Sequence, residues 1–204
     1  SGAKWTLDTI DPVVYLYGDK ANENWIRRLT IPEYIETVRS AVGVDISKEA
    51  VEILPKDLRA DGFSNTAYNL TVDLGHVEAY NRLAKQIVAQ MNPPQFAKRF
   101  WGKAKLTDND MRGLIQKMGA WILRGPLDDS EVVFYRGIST TTAAAGGDYG
   151  DAVGATIEAM LQSPRFLYRI ENQNADGSTD YIDDYQLASR ISYILWGSPP
   201  DSAL

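Results

Sequence analysis

Apolar residues recur along the first third of the chain with the spacing of an amphipathic helix. Between Ile31 and Val42 they fall at positions i, i+3, i+4, i+7 and i+11, which places them on one helical face. Thr30 and Glu33 form a capping-box pattern in front of this run, and Gly43 follows it as a helix-ending residue. The sequence therefore predicts a helix from about Thr30 to Gly43.

Further stretches have the same periodicity, and capping residues or Gly and Pro breakers mark their ends. They are residues 72–91, 107–124, 128–137, 151–161 and 183–195. Residues 139–150 are mostly small, so we expect a loop there. After Ser163 the period changes to two, which favours a strand or an extended arm.

These elements predict a mainly α fold. We expect a bundle-like array of helices with little or no β structure, apart from a short hairpin or extended arm near residues 166–182. The expected organisation has four parts: an irregular segment at 1–25, a first helical domain at 26–94, a second at 95–171, and the start of a third at 178–204, truncated at its end.

Composition excludes several classes of function. The chain has 204 residues, of which 44% are hydrophobic, so it can bury a sizeable core. Its net charge of −6 argues against nucleic-acid binding, and no apolar run is long enough to predict a membrane span. The absence of Cys excludes disulfides, covalent haem attachment and thiolate metal sites within the chain. The single histidine, His76, is expected at the surface or at the edge of the core.

One segment has the oxygen-ligand spacing of a calcium loop. The candidate ligands occupy loop positions 1, 3, 5, 7, 9 and 12, with Gly177 at position 6. They are Asn172, Asn174, Asp176, Ser178, Asp180 and Asp183. The alternative is a polar turn in which Asp183 simply caps the last helix. Calcium is the one cofactor that the residues of this chain suggest.

Charged side chains supply two more candidate clusters. Arginines recur in the most patterned segments, namely Arg28, Arg39, Arg165, Arg169 and Arg190. They are expected to tie helices together through carboxylates and helix C-termini, and the alternative is an anion site where they converge. Asp57, Arg59 and Asp61 are expected to form a structural polar cluster around Asn65.

Aromatic residues allow two interpretations. Tyrosine and tryptophan could stack on sugars, but Trp121 and Trp196 lie next to apolar helix positions. We therefore expect both tryptophans to pack in the core.

Three sets of residues carry a resemblance to known families. They are residues 27–45 (with LTIPEYIETVR) together with 54–55 and 61–65, residues 124–131 with 163–169 (SPRFLYR), and residues 181–197 (with ASRISYILWG). The first resembles a domain family of unknown function that was first grouped in large planctomycete proteins associated with cytochrome c. The second and third resemble two further such families, in the order usual for these proteins.

The resemblance implies a large periplasmic or secreted bacterial protein. Its helical domains would accompany a c-type cytochrome domain, which would hold haem c outside this chain, and in some cases carbohydrate-binding modules. No catalytic residues are established for these families, so the resemblance assigns none.

Three functional hypotheses follow. The preferred one is a helical scaffold and interaction module without catalysis of its own, whose partners are the remaining domains of the same protein. The second is a fragment of a haem-dependent enzyme that acts on polysaccharide or another extracellular substrate. The third is a calcium-stabilised glycan-binding module.

Overall fold

The computed structural model of the protein describes residues 25–57, 73–171 and 183–201. Within these ranges the chain forms nine helices and two short strands. The helices are α1 (Ile31–Val42), α2 (Ser47–Ile53), α3 (Leu74–Gln90), α4 (Pro93–Ala97), α5 (Asp108–Ile122), α6 (Asp129–Ala144), α7 (Tyr149–Leu161), α8 (Pro164–Leu167) and α9 (Asp184–Trp196). The mainly α fold expected from the sequence is confirmed.

The two strands join distant parts of the chain. β1 (Trp25–Arg28) pairs antiparallel with β2 (Tyr168–Glu171), and Trp25 lies opposite Glu171 in this register. The backbone N–H of Leu29 continues the ladder by donating to the carbonyl of Leu167 at 2.9 Å. This pairing places the start of α1 beside the end of α8.

None of the helices in the described ranges is both long and apolar enough to cross a membrane.

The expected capping residues begin and end their helices. Thr30 with Glu33 at α1, and Asp128 with Glu131 at α6, form complete capping boxes. Gly43 ends α1 in the left-handed conformation, with φ 77°, and its N–H donates to a carbonyl of the last turn. Local sequence therefore determines these helix boundaries.

The predicted loop at residues 139–150 is wrong over its first half, because α6 continues to Ala144. The hydroxyl of Thr142 donates to the carbonyl of Ile138 at 3.0 Å, a bond compatible with a helix. Ser139 is fully buried, and α6 packs along α7. Tertiary packing therefore extends α6 through residues of weak intrinsic helix propensity.

Two further features of the helices differ from the prediction: the start of α7 and the presence of α2. α7 begins at Tyr149 because Asp148, rather than Asp151, is the capping residue, and Asp151 is its capping-box partner. The stretch 46–65, whose Gly, Pro and Asn residues predict turns, contains the short helix α2.

The apolar stripe predicted for α3 is only partly correct. Leu74 is 72% exposed and Val77 is also exposed, whereas Tyr80, Leu83 and Ile87 are buried. His76 is buried at the start of this helix, and its Nδ1 lies 2.8 Å from the carboxylate of Asp73. α7 packs against α3, and Gly154 of α7 lies close to Val88 near the end of α3.

Helix α7 lies at the centre of the packing. It contacts α3, α4, α5 and α6, and it buries Val153, Ile157 and Met160 completely. Buried hydrophobic residues from all three described ranges, from Leu29 to Tyr193, form one continuous cluster.

Candidate functional site

A cleft of about 660 Å³ opens where β2, the segment after α5 and the first turns of α9 meet. Four arginine side chains line it: Arg124, Arg165, Arg169 and Arg190. Its other charged lining residues are Asp128, Glu131 and Asp183. The cleft is thus the place where arginines from separate segments converge.

The sequence identified three of these four arginines. Arg28 and Arg39, the other two candidates, lie elsewhere. Arg39 is exposed and pairs with Glu36 and with Asp45, whose pKa falls to about 2, mainly through hydrogen bonds from Ser47.

Arg124, which sequence reasoning missed, has a positive φ of 61°, a conformation that otherwise only glycines adopt in the described part of the chain. Its Nη2 donates to the carbonyls of Phe166 at 3.3 Å and Tyr168 at 2.9 Å, and also to the carbonyl of Arg165. The left-handed conformation costs about 1–2 kcal/mol in a non-glycine residue. The hydrogen bonds from its guanidinium group to three backbone carbonyls offset that cost.

Arg165 also donates hydrogen bonds to backbone carbonyls at the cleft. Its Nη1 lies 2.6 Å from Oε2 of Glu131, and its two terminal nitrogens donate to the carbonyls of Gly125 and Pro126 at 3.1 Å. Those carbonyls belong to the segment that leaves α5, where no helical donor is available. Hydrogen bonds from Ser130 chiefly lower the pKa of the neighbouring Asp128, and the charge of Arg165 lowers it further.

The guanidinium groups of Arg124 and Arg165 therefore act as structural ties. They satisfy backbone carbonyls and a helix-capping carboxylate, as expected for arginines that hold segments together.

The hydroxyl of Tyr193 on α9 hydrogen-bonds to Arg124, one of the arginines of the cleft. This hydroxyl lies 2.5 Å from Nη1 of Arg124 and 2.7 Å from Oγ1 of Thr37 on α1. Thr37 Oγ1 lies 2.6 Å from the carbonyl of Glu33 and donates its single proton there. The tyrosine hydroxyl must therefore donate to Thr37 and accept from Arg124. The result is a directed chain of three hydrogen bonds, which polarise one another.

Two guanidinium groups also lie close to the ring of Tyr193. The guanidinium carbons of Arg124 and Arg169 lie 5.5 Å and 5.6 Å from its centroid, within the range of cation–π attraction. Of the described residues of α9, only Ser192 and Tyr193 are buried. Polar contacts centred on one tyrosine thus account for much of the docking of this helix.

The opposite face of α9 is apolar and exposed. Leu187, Ile191, Ile194 and Leu195 share this face, and Ile194 is 69% exposed. The sequence predicted their common direction, but the helix turns its polar side, not this one, toward the core.

One of the two tryptophan expectations is wrong, because Trp196 is 64% exposed and does not pack in the core. Trp121 packs against the core as expected, and its indole N–H donates to the carbonyl of Ala41 at 2.8 Å.

Arg28 forms a separate buried site. Its Nη2 lies 2.8 Å from Oδ1 of Asp57, and its Nη1 donates to the hydroxyl of Tyr80 at 3.2 Å. The second oxygen of Asp57 accepts the backbone N–H of Ile31 at 2.8 Å. Asp57 therefore makes structural contacts with Arg28 and Ile31. Arg59, Asp61 and Asn65 lie outside the described residues, so the expected cluster around Asn65 stays a prediction.

Of the six candidate calcium ligands, only Asp183 lies within the described residues. Its Oδ1 accepts the backbone N–H of Gln186 at 2.8 Å and so caps α9. The other five, Asn172, Asn174, Asp176, Ser178 and Asp180, lie outside the described ranges. The described part of the chain has no group of three or more His, Cys, Asp and Glu side chains placed to hold a metal ion. The calcium hypothesis therefore stays a prediction.

Three family models match successive parts of the chain. Residues 27–92 match PSD3, a protein of unknown function (DUF1587), and residues 110–171 match PSD5, a protein of unknown function (DUF1595). Residues 182–204 match PSD4, a protein of unknown function (DUF1592). The succession of three such domains that the sequence resembles is confirmed.

No curated protein and no solved structure gives a significant match to the chain.

The hydrogen-bond chain at Tyr193 crosses all three matched segments. Thr37 belongs to the first, Arg124 to the second and Tyr193 to the third. The candidate site is therefore the place where side chains of the three families meet.

Proposed function

From three successive segments that match families of unknown function, we propose that this chain is a helical scaffold and interaction module of a large extracytoplasmic, redox-associated bacterial protein. In this proposal the chain holds other domains in place and does not itself catalyse a reaction. The structural ties made by Arg124 and Arg165 support the scaffold part of the proposal.

The outward apolar face of α9 is the observation that carries the interaction part. Leu187, Ile191 and Ile194 follow one another at intervals of four and three residues, which is the spacing of a coiled-coil contact surface. Leu195 extends the same face, and all four side chains are exposed. Such a face fits an apolar or amphipathic helix of a partner.

The size of this face favours a partner on the same polypeptide. Four Leu and Ile side chains offer at most roughly 100 Å² of apolar surface each, or roughly 400 Å² together. Stable complexes between separate proteins bury about 800 Å² per partner. A covalently linked partner has an effective concentration on the order of millimolar, so a smaller contact is sufficient.

We therefore assign this face to the remaining domains of the same protein, including the c-type cytochrome domain that the resemblance implies. The periplasmic or secreted location is part of the same proposal and rests on the resemblance alone. In such a protein, α9 would fix how the neighbouring domain is oriented on this module.

The test is association between this chain and the remaining domains of its gene product, prepared separately and measured by titration calorimetry. We expect Ile194→Asp to weaken binding at least about tenfold, or about 1.4 kcal/mol, because it places an unpaired charge in an apolar contact. Leu74→Asp is the matched control, since Leu74 is 72% exposed, close to the 69% of Ile194, and lies on α3. No binding by the unsubstituted chain, or equal losses in both variants, would reject the proposal.

A further inference from the structure

We infer that Tyr193 is the positioning residue of α9, and that α9 detaches from and returns to the rest of the fold as one unit when the contacts of this side chain break and re-form. Any consequence of this movement for the orientation of a neighbouring domain rests on the proposed function.

The burial of α9 differs from that of a helix of equal length. α7 and α9 both have 13 residues, but α7 buries seven of them and α9 buries two. Those two are Ser192 and Tyr193, which are 2% and 4% exposed. Because apolar burial is the main source of stability, α9 has far less of it holding it to the core than α7 has.

The contacts of Tyr193 are polar and directional. The hydroxyl accepts from Arg124 at 2.5 Å and donates to Thr37 at 2.7 Å, and both partners lie on other helices or segments. A hydroxyl bound by one donor and one acceptor can occupy only one orientation, so these bonds determine how the helix is rotated about its axis. Hydrogen bonds restrict the rotation of the helix more than apolar contacts do, because apolar contacts have no preferred direction.

The caps of α9 lie within the helix and its two flanking residues. Asp183 caps its start by accepting from Gln186, and Gly197 ends it at φ 64° while its N–H donates to the carbonyl of Tyr193. Neither cap uses a residue of another helix or strand. Detachment at Tyr193 therefore leaves both end caps intact, which favours movement of the helix as a unit.

The test is amide hydrogen exchange of the chain, followed by mass spectrometry of its peptides. In the unsubstituted protein we expect the amides of residues 187–196 to exchange faster than those of α7. Tyr193→Phe keeps the ring and removes the hydroxyl, so exchange in α9 should rise by about a further tenfold and stay faster than exchange in α7.

Tyr185→Phe is the matched control, because Tyr185 is an exposed tyrosine of the same helix. It should leave exchange in α9 unchanged. If Tyr193→Phe does not fold, Thr37→Val removes the acceptor from the other side and should give the same local increase.

Two results would overturn the inference. One is exchange in α9 that is as slow as exchange in α7 in the unsubstituted protein, which would mean that α9 opens only when the whole fold unfolds. The other is no increase in α9 in either variant. Both are independent of the association experiment, so the detachment of α9 can be rejected while the proposed function stands, and the reverse.

Discussion

The hydroxyl groups of Tyr193 and Thr37 lie 2.7 Å apart, although 156 residues separate them in the chain. Because Thr37 donates to the carbonyl of Glu33, Tyr193 is the donor in this pair. The bond joins the last described helix to the first one and passes between two of the matched families. The docking of α9 thus depends on a residue of α1.

A double-mutant cycle on this pair measures its coupling. Thr37→Val should destabilise the fold by about 1–3 kcal/mol, because a buried hydroxyl on Tyr193 loses its acceptor. In the double variant with Tyr193→Phe that hydroxyl is absent, so the total loss should be smaller than the sum of the single losses by about 1 kcal/mol. Urea unfolding of the parent, the two single variants and the double variant gives the free energies of unfolding for the cycle. Additive losses would show that the two hydroxyls do not interact.

Two substitutions of Arg124 distinguish the stability effect of its backbone conformation from that of its side-chain hydrogen bonds. Arg124→Ala should cost about 2–4 kcal/mol, because the carbonyls of β2 and α8 and the hydroxyl of Tyr193 lose a charged donor. Arg124→Gly loses the same bonds but relieves the left-handed strain at φ 61°.

We therefore expect the glycine variant to be more stable than the alanine variant by up to about 1 kcal/mol in thermal or urea unfolding. The reverse order would mean that the positive φ is not retained in solution.

The carboxylate of Glu33 should make the free energy of unfolding depend on pH. Burial by itself raises its pKa, but hydrogen bonds and charge from Arg27, with bonds from Thr30, outweigh burial and lower the pKa overall. A carboxylate whose folded pKa lies below the unfolded value of about 4.3 stabilises the fold above that value. This contribution is lost as pH falls through the folded pKa.

The variant Glu33→Gln should thus be less stable than the parent by about 1–2 kcal/mol at neutral pH, where the bidentate pair with Arg27 is intact. The difference should narrow below about pH 4, where the parent carboxylate is protonated. Urea unfolding across this range measures it. A constant difference at all pH values would contradict the role of charge.

Substitution of Asp57 should destabilise the fold more than substitution of Arg28, its partner in a buried ion pair. Burial acts to lower the pKa of Arg28, but Tyr80 and Asp57 outweigh it, so the pKa is raised and the cation persists. Asp57→Ala should cost about 3–5 kcal/mol, because it leaves that cation buried without its counter-ion. The loss in Arg28→Met should be smaller, since the methionine fills the apolar site without a charge. Equal losses in calorimetric unfolding would argue against this asymmetry.

Some of the fold could be predicted because its determinants are local. The pairs Thr30 with Glu33 and Asp128 with Glu131 act between neighbouring residues, so their sequence pattern is sufficient. The extent of α6 could not be predicted in this way. Residues 139–142, one serine and three threonines, have weak helix propensity, and contact with α7 keeps them helical.

The candidate site was only partly predictable for a similar reason. The recurrence of Arg165, Arg169 and Arg190 in patterned segments indicated that they should converge. Arg124 begins one of the segments that carry the resemblance, but its role could not be predicted, because its acceptors lie about 40 residues further along the chain. Periodicity also predicted the two faces of α9 but not which one packs inward, since the hydrogen bonds of Tyr193 determine that choice.

The antiparallel pairing of β1 with β2 has a mechanical consequence. Trp25 and Glu171 lie opposite each other at one end of the pair, so the chain before and after it departs from the same end. Tension applied between those flanking parts acts on the ladder of four residue pairs, one pair at a time, and bypasses the helices between Leu29 and Leu167. Tension applied in this way would therefore open the strand pair before it loads the helical core.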